Sequence, residues 1–174
     1  MHGRGSPAGR SGFTIIEVMI AVAIVGILTV IAASSFRGMV EKYRVEGETK
    51  RLHSDLMEVR ARAMQRNRVH FVRIATTGLG YATYDDTSPA PDGNGTFDNT
   101  ADTIVANRTV RHPITSTLTG GGLNFAFNRN GIATETGDIR FSSTVKPDYD
   151  CITVRSTRIK MGAYNTATGT CDER

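Results

Sequence analysis

The sequence predicts an α+β fold, in which a long N-terminal helix with a membrane-spanning first half packs on a C-terminal antiparallel β domain. Two features of the 174 residues lead to this prediction. An apolar run near the N-terminus passes into an amphipathic helical repeat, and after Asn67 the spacing of apolar residues changes to the period of two that is typical of strands. We therefore divide the chain into residues 1–12, a transmembrane helix (13–35), an amphipathic continuation (36–66) and a β domain (67–174).

The charge is unevenly distributed along the chain. Formal net charge is +4, yet residues 67–174 carry eleven basic and eleven acidic side chains, so the excess comes from the N-terminal third. A neutral β domain excludes a protein that coats nucleic acid without specificity. Two cysteines and 39% apolar residues exclude a cysteine-dense, collagen-like or wholly disordered chain.

The apolar run extends from Phe13 to Ala33, and Glu17 is the only charged residue among its 21 positions. A helix of that length spans about 32 Å, which is enough to cross a hydrocarbon core of about 30 Å. A removable secretory signal has a shorter apolar region and an Ala-x-Ala-like cleavage site. A plain membrane anchor unrelated to any filament is an alternative, although a carboxylate is costly in hydrocarbon and usually marks a function. We therefore predict one transmembrane helix in which Glu17 has a role.

The segment SGFTIIEVMIAVAIVGIL resembles the N-terminus of type IV pilins and type II secretion pseudopilins. In that family a short basic leader ends in Gly, the mature chain begins with Phe, and Glu is its fifth residue. Here Arg4 and Arg10 lie in a 12-residue leader, which is followed by Phe13 and Glu17. The resemblance implies that a prepilin peptidase cleaves the leader between Gly12 and Phe13, and that Phe13 is then N-methylated.

The resemblance also implies partners. They are other pilin or pseudopilin subunits, the prepilin peptidase, an inner-membrane assembly platform and the lipid of the inner membrane. Glu17 would pair with the Phe13 amine of a neighbouring subunit, because charges inside a membrane are tolerated when they are paired.

The basic residues on either side of the apolar run predict a membrane orientation opposite to that of this family. Two lie on the leader side, and five lie on the other side: Arg37, Lys42, Arg44, Lys50 and Arg51. The positive-inside rule alone would place the β domain in the cytoplasm. The leader pattern implies the reverse, and we adopt it: a single-pass protein of the bacterial inner membrane, with a periplasmic β domain, that later enters a pilus or pseudopilus.

A helical repeat continues beyond the membrane segment. One apolar stripe is formed at spacings of seven, four, three and four by Val45, Leu52, Leu56, Val59 and Ala63. Two acid–base pairs in the favourable i,i+4 order accompany it, Glu46–Lys50 and Glu58–Arg62. These patterns predict one helix from Phe13 to Arg66. Gly26 and Gly47 weaken it, and they either permit curvature or act as close packing contacts; the sequence favours neither explanation.

Seven strand-like segments and no second helix follow, which predicts an antiparallel β domain resting on the second half of the helix. The segments are residues 69–74, 79–84, 103–110, 123–127, 139–143, 151–156 and 158–164. The pair Asn130–Gly131 predicts a hairpin turn after Phe125 and Phe127.

Late segments narrow the resemblance to minor pilins of the GspH/FimT type. That type carries a Phe-x-(Pro/Arg)-x-Gly segment, and here Phe127, Arg129 and Gly131 have this spacing. It also carries a strand followed by Gly-Arg-x-(Arg/Lys), whereas this chain has Thr157 in place of the Gly. The resemblance implies a minor structural subunit.

Two cysteines, Cys151 and Cys171, lie in the part of the chain that the resemblance places outside the cytoplasm. An even count in an oxidising compartment predicts a disulfide, and the C-terminal loop of major pilins supports it. Closing this loop would stabilise the fold by roughly 3 kcal/mol. The spacing does not fit Cys-x-x-Cys redox or zinc chemistry.

Three basic residues, Arg155, Arg158 and Lys160, are the only charged groups between the cysteines. They form either a solvated strand edge or a DNA-binding face, since some FimT-like minor pilins are thought to bind DNA through a Gly-Arg-x-Arg element at this place. DNA capture is therefore the alternative function, with DNA as a further partner.

The segment over residues 85–102 contains five Asp. It is predicted to be a solvated loop. A calcium loop is the alternative, because Asp92, Asn94, Thr96 and Asp98 place oxygen atoms at alternate positions. Thr103 stands where such a loop needs an acid, so we predict no metal site.

No catalytic motif is present in the sequence. The four histidines are isolated from one another, and no nucleophile-elbow, zincin or Walker pattern occurs. We predict neither an enzyme nor a cofactor.

Overall fold

The computed structural model of the protein describes residues 12–119 and 122–174, and only the backbone of residues 32–35. The predicted leader, with Arg4 and Arg10, falls almost wholly outside the described residues. One helix and nine strands follow in the order α1 (Ile15–Arg66), β1 (His70–Ile74), β2 (Gly80–Asp85), β3 (Thr103–Thr109), β4 (Ile114–Ser116), β5 (Asn124–Phe127), β6 (Gly137–Phe141), β7 (Cys151–Val154), β8 (Ile159–Asn165) and β9 (Thr170–Glu173).

The long helix is confirmed, with 52 residues instead of the predicted 54. It begins at Ile15 because Thr14 acts as a cap, its Oγ1 accepting a hydrogen bond from the Glu17 amide at 3.3 Å. It ends where Asn67 adopts a left-handed conformation with φ of 51°. The Arg68 amide then donates to the Ala63 carbonyl at 3.1 Å, which satisfies a carbonyl in the last turn.

The described residues form two compact units, which divide between Met39 and Val40. In the first unit, the large apolar side chains from Phe13 to Ile31 are 51–83% exposed. Within the described residues, α1 is the one helix that is long and apolar enough to cross a membrane.

The second unit holds two antiparallel sheets, one with the order β3-β2-β1-β5 and the other with the order β4-β6-β7-β8-β9. The prediction of seven strands is wrong for the described residues, because β4 and β9 were missed. β4 has three residues directly after Pro113, and β9 has the polar sequence Thr-Cys-Asp-Glu. Neither segment has the length or the apolar alternation that makes a strand recognisable in sequence.

The turn at Asn130–Gly131 is present, but it joins the two sheets and is not a simple hairpin. The Asn128 amide donates to the Ile132 carbonyl at 2.9 Å, and Gly131 has φ of 70°. One isolated bridge, Phe127 to Ala133, follows before the chain leaves the first sheet. β5 therefore belongs to the first sheet and β6 to the second.

The core of the second unit contains the predicted helical stripe. All five of its residues are at most 3% exposed, which confirms the stripe. They pack against inner-face side chains of both sheets, including Tyr81, Phe125, Phe127 and Phe141. A smaller cluster lies on the other face of the first sheet, where Phe97 covers Phe71 and Tyr84 with ring centroids 5.5 and 4.9 Å apart.

Candidate functional site

Phe13 and Glu17 lie on one face of the N-terminal segment, where they line an apolar groove with Ala21 and Val25. Glu17 occupies the first turn of α1, where a negative charge is favourable beside the positive end of the helix dipole. No described residue forms an ion pair with its carboxylate. The carboxylate is therefore exposed among apolar side chains and open to a partner from another molecule.

The second half of α1 is held to the β domain by polar contacts, the most extensive of which surround His112. Its Nδ1 lies 2.7 Å from Glu48 Oε2, and its Nε2 lies 2.7 Å from Glu41 Oε1. The amides of Arg111 and His112 also donate to the Glu48 carboxylate, at 2.9 and 3.2 Å. We call this set of contacts the His112 clasp. It fixes the connection from β3 to β4, and so from one sheet to the other, on the helix.

The charges of His112 and Glu41 stabilise each other. Desolvation by burial favours the neutral ring of His112, but the hydrogen bonds with Glu41 and Glu48 outweigh it and raise the pKa of the ring. The hydrogen bond with His112 in turn lowers the pKa of Glu41. The two carboxylates thus favour the protonated form of the imidazole between them.

A second histidine is also not isolated. His70 is buried, and its Nε2 lies 3.6 Å from Asp85 Oδ1, while Arg66 binds the other oxygen of Asp85 at 2.6 Å. Burial lowers the pKa of His70 despite the nearby carboxylate. The carboxylate partners of His70 and His112 are far away in the sequence, so the sequence analysis did not identify them.

The loop between β6 and β7 is attached to the helix by a separate set of groups. Lys42 Nζ lies 3.0 Å from Asp148 Oδ2, and this hydrogen bond raises the pKa of Lys42. The Asp148 amide donates to Glu46 Oε1 at 2.9 Å. Lys50 Nζ lies 5.5 Å from the centroid of the Tyr149 ring. Glu46 thus binds the β6–β7 loop in addition to making the predicted contact with Lys50, whose Nζ lies 3.9 Å from its carboxylate.

Cys151 and Cys171 form a disulfide that joins β7 to β9. Asp138 on β6 supports the same region. Its carboxylate accepts hydrogen bonds from Thr153 Oγ1 at 2.9 Å and from the Cys171 amide at 3.1 Å. The C-terminal strand is therefore fixed both covalently and by hydrogen bonds.

The basic residues near the C-terminus are brought together by the turn between β7 and β8. Arg155 and Arg158 close this turn, with the Arg155 amide donating to the Arg158 carbonyl at 2.7 Å. Arg158 and Lys160 both pair with Glu173, at 3.1 and 3.5 Å. The carboxylate comes from β9, the strand that the sequence did not reveal.

The Asp-rich loop is more ordered than a solvated loop, and that expectation is wrong for Asp85, Asp86 and Asp102, which are buried. Asp86 accepts hydrogen bonds from the amides of Asn94 and Gly95, at 3.1 and 2.6 Å. Asp102 likewise accepts from the Asp98 amide at 2.8 Å. These carboxylates accept hydrogen bonds from backbone amides of the loop. The described residues contain no group of three or more His, Cys, Asp or Glu arranged to hold a metal ion.

Comparison with known proteins identifies two matching family models. The model described as a prokaryotic N-terminal methylation motif matches residues 8–33, and the model described as type II transport protein GspH matches residues 48–158. No curated protein matches the chain.

Two of the solved structures that resemble the chain are the type IV minor pilin FimU of Pseudomonas aeruginosa and the minor pseudopilin EpsH of the Vibrio cholerae type 2 secretion system. FimU is 11% identical with a TM-score of 0.49, and the match covers 78% of this chain and 98% of FimU. EpsH is 13% identical with a TM-score of 0.47, and the match covers 69% of this chain and 97% of EpsH.

The GspH match extends over more than half of the chain and includes residues 48–66 of α1 and strands β1 to β7. The methylation motif precedes it and includes Gly12, Phe13 and Glu17. The protein therefore belongs to the GspH family of minor pilins and pseudopilins, whose members are structural subunits.

Proposed function

We propose that the protein is a minor structural subunit of a type IV pilus or a type II secretion pseudopilus. A prepilin peptidase processes it, and it assembles through its N-terminal helix. The observation that carries the proposal is the presence, in one chain, of the methylation motif and the GspH domain.

The exposed apolar helix supports this function. Burying a large apolar side chain contributes about 1.5–3 kcal/mol, and every large apolar residue from Phe13 to Ile31 is exposed. Their combined contribution is well above the cost of a few kcal/mol for placing Glu17 in hydrocarbon. The helix therefore inserts in the inner membrane, and in a filament the same side chains pack against other subunits.

Processing would place two opposite charges close together. Cleavage between Gly12 and Phe13 leaves a positive amine on Phe13, four residues before Glu17 on the same face. N-methylation of Phe13 retains that charge. Pairing of Glu17 with the amine of a neighbouring subunit would remove both charges from the apolar interior of the filament.

The periplasm is the proposed location of the β domain while the protein waits in the inner membrane. A disulfide such as Cys151–Cys171 persists in an oxidising compartment and is rare in the cytosol. The proposed partners are other pilin or pseudopilin subunits, the prepilin peptidase, the inner-membrane assembly platform and inner-membrane lipid.

Intact-mass spectrometry of the protein from native membranes or sheared filaments tests the proposal. The expected mass is that of residues 13–174 plus one methyl group and minus two hydrogens for the disulfide. A mass that retains residues 1–12, with free thiols, would contradict both the processing and the orientation. The subunits recovered with the protein distinguish a pilus from a pseudopilus.

DNA capture through Arg155, Arg158 and Lys160 ranks second. Glu173 pairs with two of these three cations, which lowers the positive charge that the face offers to phosphates. Two or three phosphate contacts would support only weak, salt-sensitive binding.

A further inference from the structure

An open groove with a cavity volume of about 390 Å³ lies on the exposed side of α1 around Gly47. We call it the Gly47 groove. It is lined by Tyr43, Arg44, Gly47, Glu48, Arg51 and Arg111. The first five belong to the second half of α1, and Arg111 comes from the connection between β3 and β4.

The groove has an excess of positive charge. Arg51 and Arg111 form no side-chain hydrogen bond or ion pair with any described residue, and Arg44 lies 3.6 Å from Glu41, which His112 also uses. The only acid in the lining, Glu48, already binds His112 and two backbone amides. Guanidinium groups of this kind are suited to bidentate contacts with carboxylates.

Gly47 has no evident role within the chain. A glycine inside a helix destabilises it by roughly 0.5–1 kcal/mol relative to alanine. A Cβ atom placed on Gly47 would meet no atom within 4 Å, so none of the described packing requires a glycine there. Beside it, Tyr43 is 64% exposed. A bare backbone next to an exposed Tyr and several Arg has the composition of a protein interface, where Tyr and Arg are enriched.

We infer that the Gly47 groove is the docking site for an acidic segment of a different subunit of the same filament. This inference rests on the proposed function, which supplies such neighbours. Its carboxylates would bind Arg51 and Arg111, and its backbone would pass over Gly47 against the Tyr43 ring.

A second copy of this chain is a poor source of such a segment. Beyond the membrane helix, the acidic side chains in the described part of the chain already have partners within the chain. Each accepts a hydrogen bond or forms an ion pair, with the exception of Asp92. One free carboxylate does not match three arginines. The partner is therefore a subunit with a different sequence.

Two variants and one control test the site in the native host, in the full-length protein. Gly47→Leu fills the groove with a better helix former, so we expect it to fold and insert normally while its amount in sheared filaments falls at least tenfold. The charge reversal R51E/R111E should give a similar loss. Arg129→Glu, a charge reversal at the exposed turn after β5, should stay within twofold of wild type.

A photo-crosslinking amino acid at Tyr43 identifies the occupant. The expected adduct contains another pilin-family subunit and disappears in R51E/R111E. Adducts with lipid alone, or normal incorporation of Gly47→Leu and R51E/R111E, would overturn the inference and leave the proposed function intact. Absence of the wild-type protein from filaments would instead overturn the proposed function, and this inference with it.

Discussion

His112 and Glu48 are in hydrogen-bond contact at 2.7 Å although 64 residues separate them in the chain. Glu48 belongs to α1, and His112 belongs to the connection between the two sheets. Glu41, one side of the clasp, lies two turns earlier on the same helix. A change in the charge of this one imidazole therefore acts on the attachment of both sheets to the helix.

The pH dependence of stability should reveal the clasp. The pKa of His112 is raised on folding, so its contribution is fully present below the ordinary value of 6.5 and is lost as pH rises through the folded pKa. The pKa of Glu41 is lowered, so its contribution is present above 4.5 and is lost as pH falls through the folded pKa. Both contributions are fully present only between the ordinary values of 4.5 and 6.5, so the clasp is strongest in that range.

His112→Gln isolates the histidine contribution. We expect the variant to be less stable than wild type by about 1–3 kcal/mol near pH 6, because hydrogen bonds to charged groups are lost, and the difference should shrink as the pH rises above the folded pKa. Urea unfolding of the detergent-solubilised protein across this range measures it. A difference that does not change with pH would show that His112 acts only by packing.

Gly78 is a position where the backbone requires glycine. It has φ of 70°, and a Cβ atom would lie 2.8 Å from the Ile114 carbonyl oxygen on β4. Since that oxygen is backbone, it cannot move aside as a side-chain end could. We expect Gly78→Ala to lower the free energy of unfolding by more than 2 kcal/mol, with strain and contact acting together.

Gly95→Ala is the matched control. Gly95 has a similar φ of 75°, but a Cβ atom there meets nothing within 4 Å. It should therefore show only the cost of the left-handed conformation, about 1 kcal/mol. Equal destabilisation of the two variants in urea unfolding would mean that the contact with β4 contributes nothing.

The large-scale plan of the fold could be predicted from sequence, because it depends on periodic patterns. The helical stripe is confirmed because its spacing encodes one face regardless of what covers it. β4 and β9 carry no such pattern, since three residues and a polar tetrapeptide are too short to show alternation.

The polar contacts could not be predicted, because they depend on which distant residues meet. Nothing near Glu48 in the sequence points to His112, and nothing near Lys160 points to Glu173. Phe97 lies in a segment rich in Asp, Asn and Gly, so its packing on Phe71 depends on the path of the whole loop. The spacing of apolar residues along the chain indicates which face of a helix or strand is buried. Which polar side chains pair with one another depends on the folded structure.

The disulfide should contribute measurably to stability. Cys151 and Cys171 are separated by 20 residues, and a loop of that size corresponds to roughly 3 kcal/mol in the loop-entropy estimate. We expect C151A/C171A to unfold at a lower urea concentration than the oxidised wild-type protein. Wild-type protein with the disulfide reduced should show the same lower midpoint. If reduction leaves the midpoint unchanged, the bridge contributes no stability.

DNA binding by Arg155, Arg158 and Lys160 can be tested by removing one of these cations or by removing the carboxylate that pairs with two of them. Arg158→Ala removes a cation, whereas Glu173→Gln removes the carboxylate that pairs with Arg158 and Lys160. If the face binds phosphates, Arg158→Ala should weaken DNA binding and Glu173→Gln should strengthen it, most clearly at low salt. Filter binding measures both, and unchanged curves for the pair would reject these residues as a DNA site.

Glu17 provides the most direct test of assembly. Its carboxylate lies among exposed apolar side chains and has no ion-pair partner among the described residues. We expect Glu17→Ala to insert in the membrane at least as well as wild type, because an uncharged residue is cheaper in hydrocarbon. It should nevertheless assemble poorly, since the amine of a neighbouring Phe13 would be left unpaired within the filament.

Glu17→Gln separates charge from shape. Gln retains the size and a hydrogen-bonding group but cannot neutralise an amine, so it should assemble as poorly as Glu17→Ala if ion pairing is the role of Glu17. Comparing membrane and sheared-filament fractions measures insertion and assembly separately. Normal incorporation of both variants would rule out the pairing, while normal incorporation of Glu17→Gln alone would assign Glu17 a hydrogen-bonding role in place of an ionic one.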